Sequence, residues 1–374
     1  MSLAIVFAAP ARSLPLISHF EIMTDGKTYA IDATGKKYLT TIDGKLQNHL
    51  QKFIKKKGDN PISAVVVVDT QTGDIKAAAY GRALQDKSSP LFFSNFPCAS
   101  LFKTVVSAAA FDLLGWSVDH EQAFRGGCAN VRADGAWLRQ DIIANRNPIT
   151  LRKAYMQSCN GYFAKVAVEG LGYGALRSYA QKFSWYQPVP ADFSIPMSPM
   201  FAPESNALSI QSLGQFAAGL GKVYTNVFHV AWQYSMVANG GRAIPLRLFQ
   251  ETPIASSYPA LIKETTSQKL RELMPAVVSN RGTAGDSFHT RRYRELRNLV
   301  GGKTGTLSGT FPQGVNTWFA GMMPINNPRY VVASIVVIND LWHIRGSDLA
   351  AEAFWALQNP SKVEEFALNS PIIF

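Results

Sequence analysis

Apolar positions follow two different periods along this chain. Ile62-Ser63-Ala64-Val65-Val66-Val67-Val68-Asp69 is a short continuous apolar run. A run this short, rich in β-branched residues, predicts a strand covered on both faces. Thr70 to Gly73 turn the chain, and Asp74 to Tyr80 return as its hairpin partner. Upstream, Thr28 to Ile31 and Tyr38 to Ile42 read as strands flanking Ala33-Thr34-Gly35-Lys36, and Lys45 to Lys56 reads as a helix. Downstream the helical period dominates. Leu101 to Leu114 is rich in Leu, Val, Ala and Phe, lacks Gly and Pro, and stops at Gly115. It predicts a helix that is apolar nearly all round, hence buried. Thr150 to Val168 predicts two helices around a polar break at Ser158-Cys159-Asn160-Gly161. Another helix ends at Ala238-Asn239-Gly240-Gly241, with Thr225 as its expected cap. Ser267 to Val278 predicts one more. Three strands follow, at Val300 to Leu307, Asn316 to Met322 and Arg329 to Ile338, and a helix from Asp348 to Gln358 closes the pattern. Strands at both ends with helices between them predict an α/β fold, its sheet built from distant segments and covered by helices on both faces.

Composition narrows the class. The chain has 374 residues, 47% hydrophobic and 17% charged, enough to bury a substantial core. No apolar run reaches the roughly 18–20 residues that a spanning helix needs. Residues 1–27 read as leader and linker or tag remnant, with Leu3 to Ala9 apolar and Ala9-Pro10-Ala11 as a small-residue stretch. The net charge is +11, with basic runs at Lys55-Lys56-Lys57 and Arg291-Arg292. Aromatic residues are not interleaved with these runs and no nucleic-acid motif occurs, so a solvated basic face near an anionic envelope is the reading. Cys98, Cys128 and Cys159 have no metal spacing and form no disulfide scaffold. Cys98 and Cys159 flank chemically interesting serines; buried small residues is the favoured account of both.

Three motifs carry candidate chemistry. Ser100-Leu101-Phe102-Lys103, Ser158-Cys159-Asn160 and Lys303-Thr304-Gly305-Thr306 each occur once, in that order. Any one alone is commonplace: a helix surface, a turn, a glycine-rich hairpin. A serine hydroxyl needs a base before it attacks anything at neutral pH. Ser100 and Lys103 are three apart, so a helix puts them on one face. A lysine on a buried helix loses proton affinity, which makes Lys103 a candidate base. The third motif reads as an extended segment where glycines admit a ligand backbone and Lys303, Thr304 and Thr306 offer charge and hydroxyls.

Together the motifs read S-x-x-K, S-x-N and K-T-G, and the chain resembles a penicillin-binding transpeptidase domain from about Thr28 to Gln358. The Asp69 to Ala77 hairpin, the Gly240-Gly241 stop and Gly282-Thr283-Ala284 are also similar to the family, and the motif spacing resembles its class B members. The resemblance implies an antiparallel sheet built from N- and C-terminal segments, flanked by helices, with an all-helical subdomain at roughly 100–241 inserted in an α/β domain spanning 28–374. It implies a serine-type D-Ala-D-Ala transpeptidase with Ser100 as nucleophile, Lys103 as base, Ser158 as proton relay and Asn160 holding lysine and substrate amide. Lys303, Thr304, Gly305 and Thr306 would bind the terminal carboxylate, and the N–H groups of Ser100 and Thr306 would form the oxyanion hole. No metal or other cofactor is expected. Stem peptides and β-lactams are the expected ligands, membrane-anchored wall-synthesis proteins are candidate partners, and the cell envelope, either the periplasm or the outer face of the cytoplasmic membrane, is the expected location. A DD-carboxypeptidase or β-lactamase is the alternative, and a β-lactam sensor or non-catalytic scaffold the alternative of a different class. Neither Glu169 nor Glu204 begins the E-x-x-L-N loop of class A β-lactamases. With no glycosyltransferase region and no long N-terminal pedestal, a minimal or truncated member is expected.

Overall fold

A computed structural model describes residues 17–363, except 24, 58–61, 82–93, 124–127, 129–130, 132–147, 201–208, 311–312 and 340–343. The described residues open with a meander of β1 (Ile17–Ile22), β2 (Lys27–Asp32) and β3 (Lys37–Asp43), then α1 (Gly44–Lys56). The Asp43 carboxylate caps α1 by accepting from the amides of Lys45 and Leu46. The hairpin of β4 (Ser63–Asp69) and β5 (Ile75–Tyr80) follows, and then β6 (Phe96–Pro97). A 3₁₀ turn at Ala99–Phe102 leads directly into α2 (Lys103–Leu113). The middle holds β7 (Glu121–Gln122), β8 (Ile149–Thr150), α3 (Leu151–Met156), α4 (Asn160–Lys165), α5 (Gly172–Lys182), α6 (Ile210–Ala218), β9 (Tyr224–Thr225) and α7 (Val227–Ala238). Helices α8 (Glu264–Leu273), α9 (Pro275–Val278) and α10 (Gly285–Phe288) precede β10 (Gly301–Thr310), β11 (Gln313–Met323), β12 (Tyr330–Ile338) and α11 (Gly346–Gln358).

The main sheet runs β10-β11-β12-β4-β5, antiparallel throughout. It is thus assembled from both ends of the sequence, as the strand pattern predicts. Val331 faces Val68 and Ala333 faces Val66 where the two ends meet. Helices α1 and α11 cover one face and α7 the other, so β4 is buried along its whole length. That double cover explains why β4 is written as a continuous apolar run rather than an alternating one.

Several expectations are corrected in detail. The N-terminal segment read as linker contains a paired strand, β1, at Ile17–Ile22; residues 1–16 lie outside the described residues. Asn226, not Thr225, caps α7, its side-chain oxygen accepting from the His229 amide at 2.9 Å. The helix expected over Ser267 to Val278 is split, because Pro275 has no N–H to donate and begins a new helix instead. Cys159 is bonded to Cys128, and Cys98 is the free, buried cysteine. The basic runs are partly structural: Lys56 and Arg292, distant in sequence, line one cavity of about 280 Å³ between α1 and α11.

Candidate active site

The three motifs converge. Ser100 lies in the 3₁₀ turn that leads into α2, not in the α-helix the sequence predicts from Leu101. Side chains three apart eclipse one another in a 3₁₀ turn. Ser100 Oγ and Lys103 Nζ are accordingly 2.8 Å apart. The turn is entered through Ala99, whose φ of +51° is one that residues with a Cβ adopt at a cost of about 1–3 kcal/mol. Gly219 packs against it so closely that a Cβ there would meet the Ala99 carbonyl oxygen at 1.9 Å. No other residue fits that approach.

The second motif delivers the acceptors. Met156 ends α3, Asn160 begins α4, and Ser158 between them has φ +56°. This fold of the break turns Ser158 and Asn160 toward the same lysine. Lys103 Nζ lies 2.8 Å from the Ser158 carbonyl oxygen, 2.6 Å from Asn160 Oδ1 and 3.3 Å from Ser158 Oγ. A neutral amine has two N–H donors and one lone pair. The carbonyl and the amide oxygen can only accept, so in the neutral form of Lys103 they would take both donors and leave the lone pair to the Ser100 hydroxyl.

The third motif is the outer edge of the main sheet, β10. Gly305 passes the turn that carries Ser100: a Cβ on Gly305 would lie 3.2 Å from the Cys98 carbonyl oxygen and 3.3 Å from the Ala99 Cβ. Beyond it Thr306 is exposed at the rim. Thr304 Oγ1 is 2.6 Å from Thr283 Oγ1. Lys303 points inward, its Nζ donating to Ser158 Oγ and to the Thr304 carbonyl, each at 2.9 Å. Ser158 Oγ therefore sits between two lysines.

Both lysines are fully buried. Burial is the main reason that the Lys103 ammonium is pushed well below the usual lysine range, and the Lys303 charge pushes it further. Burial alone brings Lys303 down to about 7. Aromatic faces soften the cost: Lys103 Nζ is 5.7 Å from the Phe163 ring centre and Lys303 Nζ is 5.4 Å from that of Tyr155. The Tyr155 hydroxyl bonds Thr104 Oγ1, which also bonds the Tyr234 hydroxyl, a buried network below the lysines.

Residues 63–357 match the family model of the penicillin binding protein transpeptidase domain. This chain belongs to that family. Over 302 residues it is 24% identical to the probable peptidoglycan D,D-transpeptidase PbpC of Pseudomonas aeruginosa, an alignment covering 77% of this chain. It spans 51% of that curated relative's length. The fold is similar to the D,D-transpeptidase domain of a peptidoglycan glycosyltransferase from Eggerthella lenta, with a TM-score of 0.67, 22% identity, and 87% of this chain and 83% of that one covered. It is also similar to penicillin-binding protein A of Mycobacterium tuberculosis in its ceftriaxone acyl-enzyme complex, with a TM-score of 0.67, 22% identity, and 86% and 79% covered.

The site of this transpeptidase-family domain contains residues that sequence reading passed over. Gly219 and Tyr155 carry no motif, and their roles come from contacts across the fold. Thr283 lies in a stretch already similar to the family, and its hydroxyl beside Thr304 gives that stretch a place. Cys128 sits 31 residues before its partner, and two cysteines at that spacing are a weak signal.

Proposed function

We propose that this domain is a peptidoglycan D,D-transpeptidase working through a Ser100 acyl-enzyme that β-lactams trap. The observation that carries it is Lys103 Nζ within hydrogen-bond reach of Ser100 Oγ, with two acceptor-only oxygens, the Ser158 carbonyl and Asn160 Oδ1, also on Nζ. Lys103 takes the Ser100 proton as Oγ attacks the penultimate D-Ala carbonyl. Negative charge then develops on the carbonyl oxygen, beside the amides of Ser100 and Thr306. Ser158 Oγ, 3.3 Å from Lys103 and 2.9 Å from Lys303, carries the proton on to the departing D-Ala amine. An amine of a second stem peptide then attacks the ester and frees Ser100.

β10 is the edge strand of the sheet among the described residues, and beyond Gly302, whose amide donates to the Met274 carbonyl, this edge suits an extended peptide adding by backbone hydrogen bonds. Thr304 and Thr306 offer hydroxyls to the terminal carboxylate, with the Lys303 charge beneath them. The cell envelope fits this substrate, and the Cys128–Cys159 bond suits an oxidising compartment.

Among the described residues no carboxylate is a hydrogen-bond partner of Lys103 or Lys303, and Glu169 pairs with Lys165 instead; Glu204 lies outside the described residues. A deacylating water thus lacks an obvious base, which favours a long-lived acyl-enzyme over a β-lactamase. The test is incubation with a D-Ala-D-Ala peptide and an amine acceptor, with products separated by chromatography. Cross-linked product supports the proposal. Hydrolysis alone would make the domain a carboxypeptidase, and rapid repeated turnover of nitrocefin would make it a β-lactamase.

A further inference from the structure

The Cys128–Cys159 bond is attached inside the second motif, at the residue between the two that hold Lys103. Cys159 is fully buried, and its amide donates to the Ala154 carbonyl at 2.8 Å. Next to it, the Asn160 amide donates to the Cys128 carbonyl at 2.7 Å. That amide opens α4 and would otherwise lack an intrahelical partner. Cys128 thus holds the break twice, through Sγ to Cys159 and through its carbonyl to Asn160. On one side of this double tie is Ser158, at a φ of +56°; on the other is Asn160 Oδ1, 2.6 Å from Lys103 Nζ. A residue with a Cβ keeps such a φ only where its surroundings over-determine it.

We propose that Cys128 is a positioning residue: through its bond to Cys159 and its carbonyl contact with Asn160, it holds Ser158 and Asn160 in register with Lys103. It touches neither substrate nor Ser100. Its effect passes through the direction of the Lys103 lone pair and the placing of the Ser158 relay. Both matter to the acylation step, whereas initial ligand docking on β10 depends on neither. This inference rests on the acyl-enzyme reading of Ser100.

The test is the rate of penicillin acylation against drug concentration, read by intact mass, for wild type, Cys128→Ser, Cys159→Ser and the double variant. The maximal acylation rate should fall about 10–100-fold, the scale on which an ångström-sized misplacement acts. The drug concentration giving half-maximal rate should change by much less than the maximal rate, because the β10 contacts are untouched and only the Asn160 contact to the substrate amide is disturbed. Both single variants and the double should share one rate, since each removes the same bond; independent packing defects would add instead. Thermal melts select conditions where every variant is folded. Wild type treated with a phosphine should fall to the same rate, as one disulfide and one water become two thiols and a phosphine oxide. Acylation within twofold of wild type in folded variants overturns the positioning role. Three titratable thiols in denatured, unreduced wild type, rather than Cys98 alone, overturn the bond. Absence of any adduct on untreated wild type overturns the acyl-enzyme reading, and this inference falls with it.

Discussion

Two buried ionic clusters in this domain obey opposite rules. Between α1 and α11, Glu352 is only 1% exposed. Its carboxylate accepts from Arg292 Nε at 2.9 Å and Nη2 at 2.7 Å and from the Tyr293 hydroxyl, and His49 Nε2 lies 2.7 Å away. Burial by itself would push this carboxyl up, but those bonds and the Arg292 charge outweigh it and hold it at about 2. Arg292 also lies flat over Trp355, 3.6 Å from the ring centre. At the candidate catalytic centre, Lys103 and Lys303 are buried with no carboxylate partner among the described residues, and both are pushed down instead. The first cluster satisfies its charge and holds two helices together. The second leaves its charge unsatisfied, and the result is an amine free to take a proton.

Removing Lys103 breaks the comparison at its most sensitive point. In Lys103→Ala, acylation at saturating penicillin should fall about 10³–10⁴-fold, as expected for loss of a general base. The protein should stay folded by circular dichroism, because a costly buried group has been removed. A near wild-type rate would mean that another group deprotonates Ser100.

Glu352→Gln attacks the other cluster. It removes the counter-charge of Arg292, whose side chain is 46% exposed and can rehydrate, so the domain should lose about 1–2 kcal/mol. Denaturant titration measures this. Acylation by the folded protein should be unchanged, since Glu352 lies outside the catalytic centre.

Lys303→Ala sharpens the like-charge argument. The Lys303 charge helps keep Lys103 deprotonated, so its removal lets the Lys103 amine hold its proton to higher pH. The acid limb of the acylation profile should therefore move upward in pH, and acylation at low drug concentration should drop about tenfold as carboxylate attraction weakens. An unmoved profile with unchanged affinity would reduce the third motif to a structural turn.

A further contrast between the clusters lies in the pH dependence of stability. Lys303 titrates near 7 in the folded protein and at 10.5 in the unfolded chain. Between those values the unfolded chain binds more protons, so stability should rise with pH from about 7, by at most about 1.4 kcal/mol per pH unit. Lys303→Met should reduce that rise, leaving the part that comes from Lys103. Glu352 gives the contrasting limb: its folded value near 2 lies below the ordinary 4.5, so its contribution is lost as pH falls through that range.

The two clusters also differ in how far the sequence announces them. Ser100 and Lys103 are three residues apart, and local backbone geometry alone brings them together. The apolar helix around Lys103 and the continuous apolar pattern of β4 likewise express local burial. His49 and Glu352 are 303 residues apart, and only the packing of α1 on α11 joins them. The 3₁₀ turn at Ser100 escapes the sequence because Leu101 and Phe102 suit either helix type, and the close approach of Gly219 to Ala99 decides between them. The Cys128–Cys159 bond escapes for the same reason: its meaning depends on where α4 begins, not on spacing.

The central claim is that Ser100 is the acylated residue and that Lys103 activates it. Intact mass after incubation with benzylpenicillin, followed by peptide mapping, tests it most directly. Wild type should gain one penicilloyl group on the peptide containing Ser100, stable for many minutes, and Ser100→Ala should gain none while remaining folded. An adduct that persists on Ser100→Ala, or that maps to Ser158, would contradict the account.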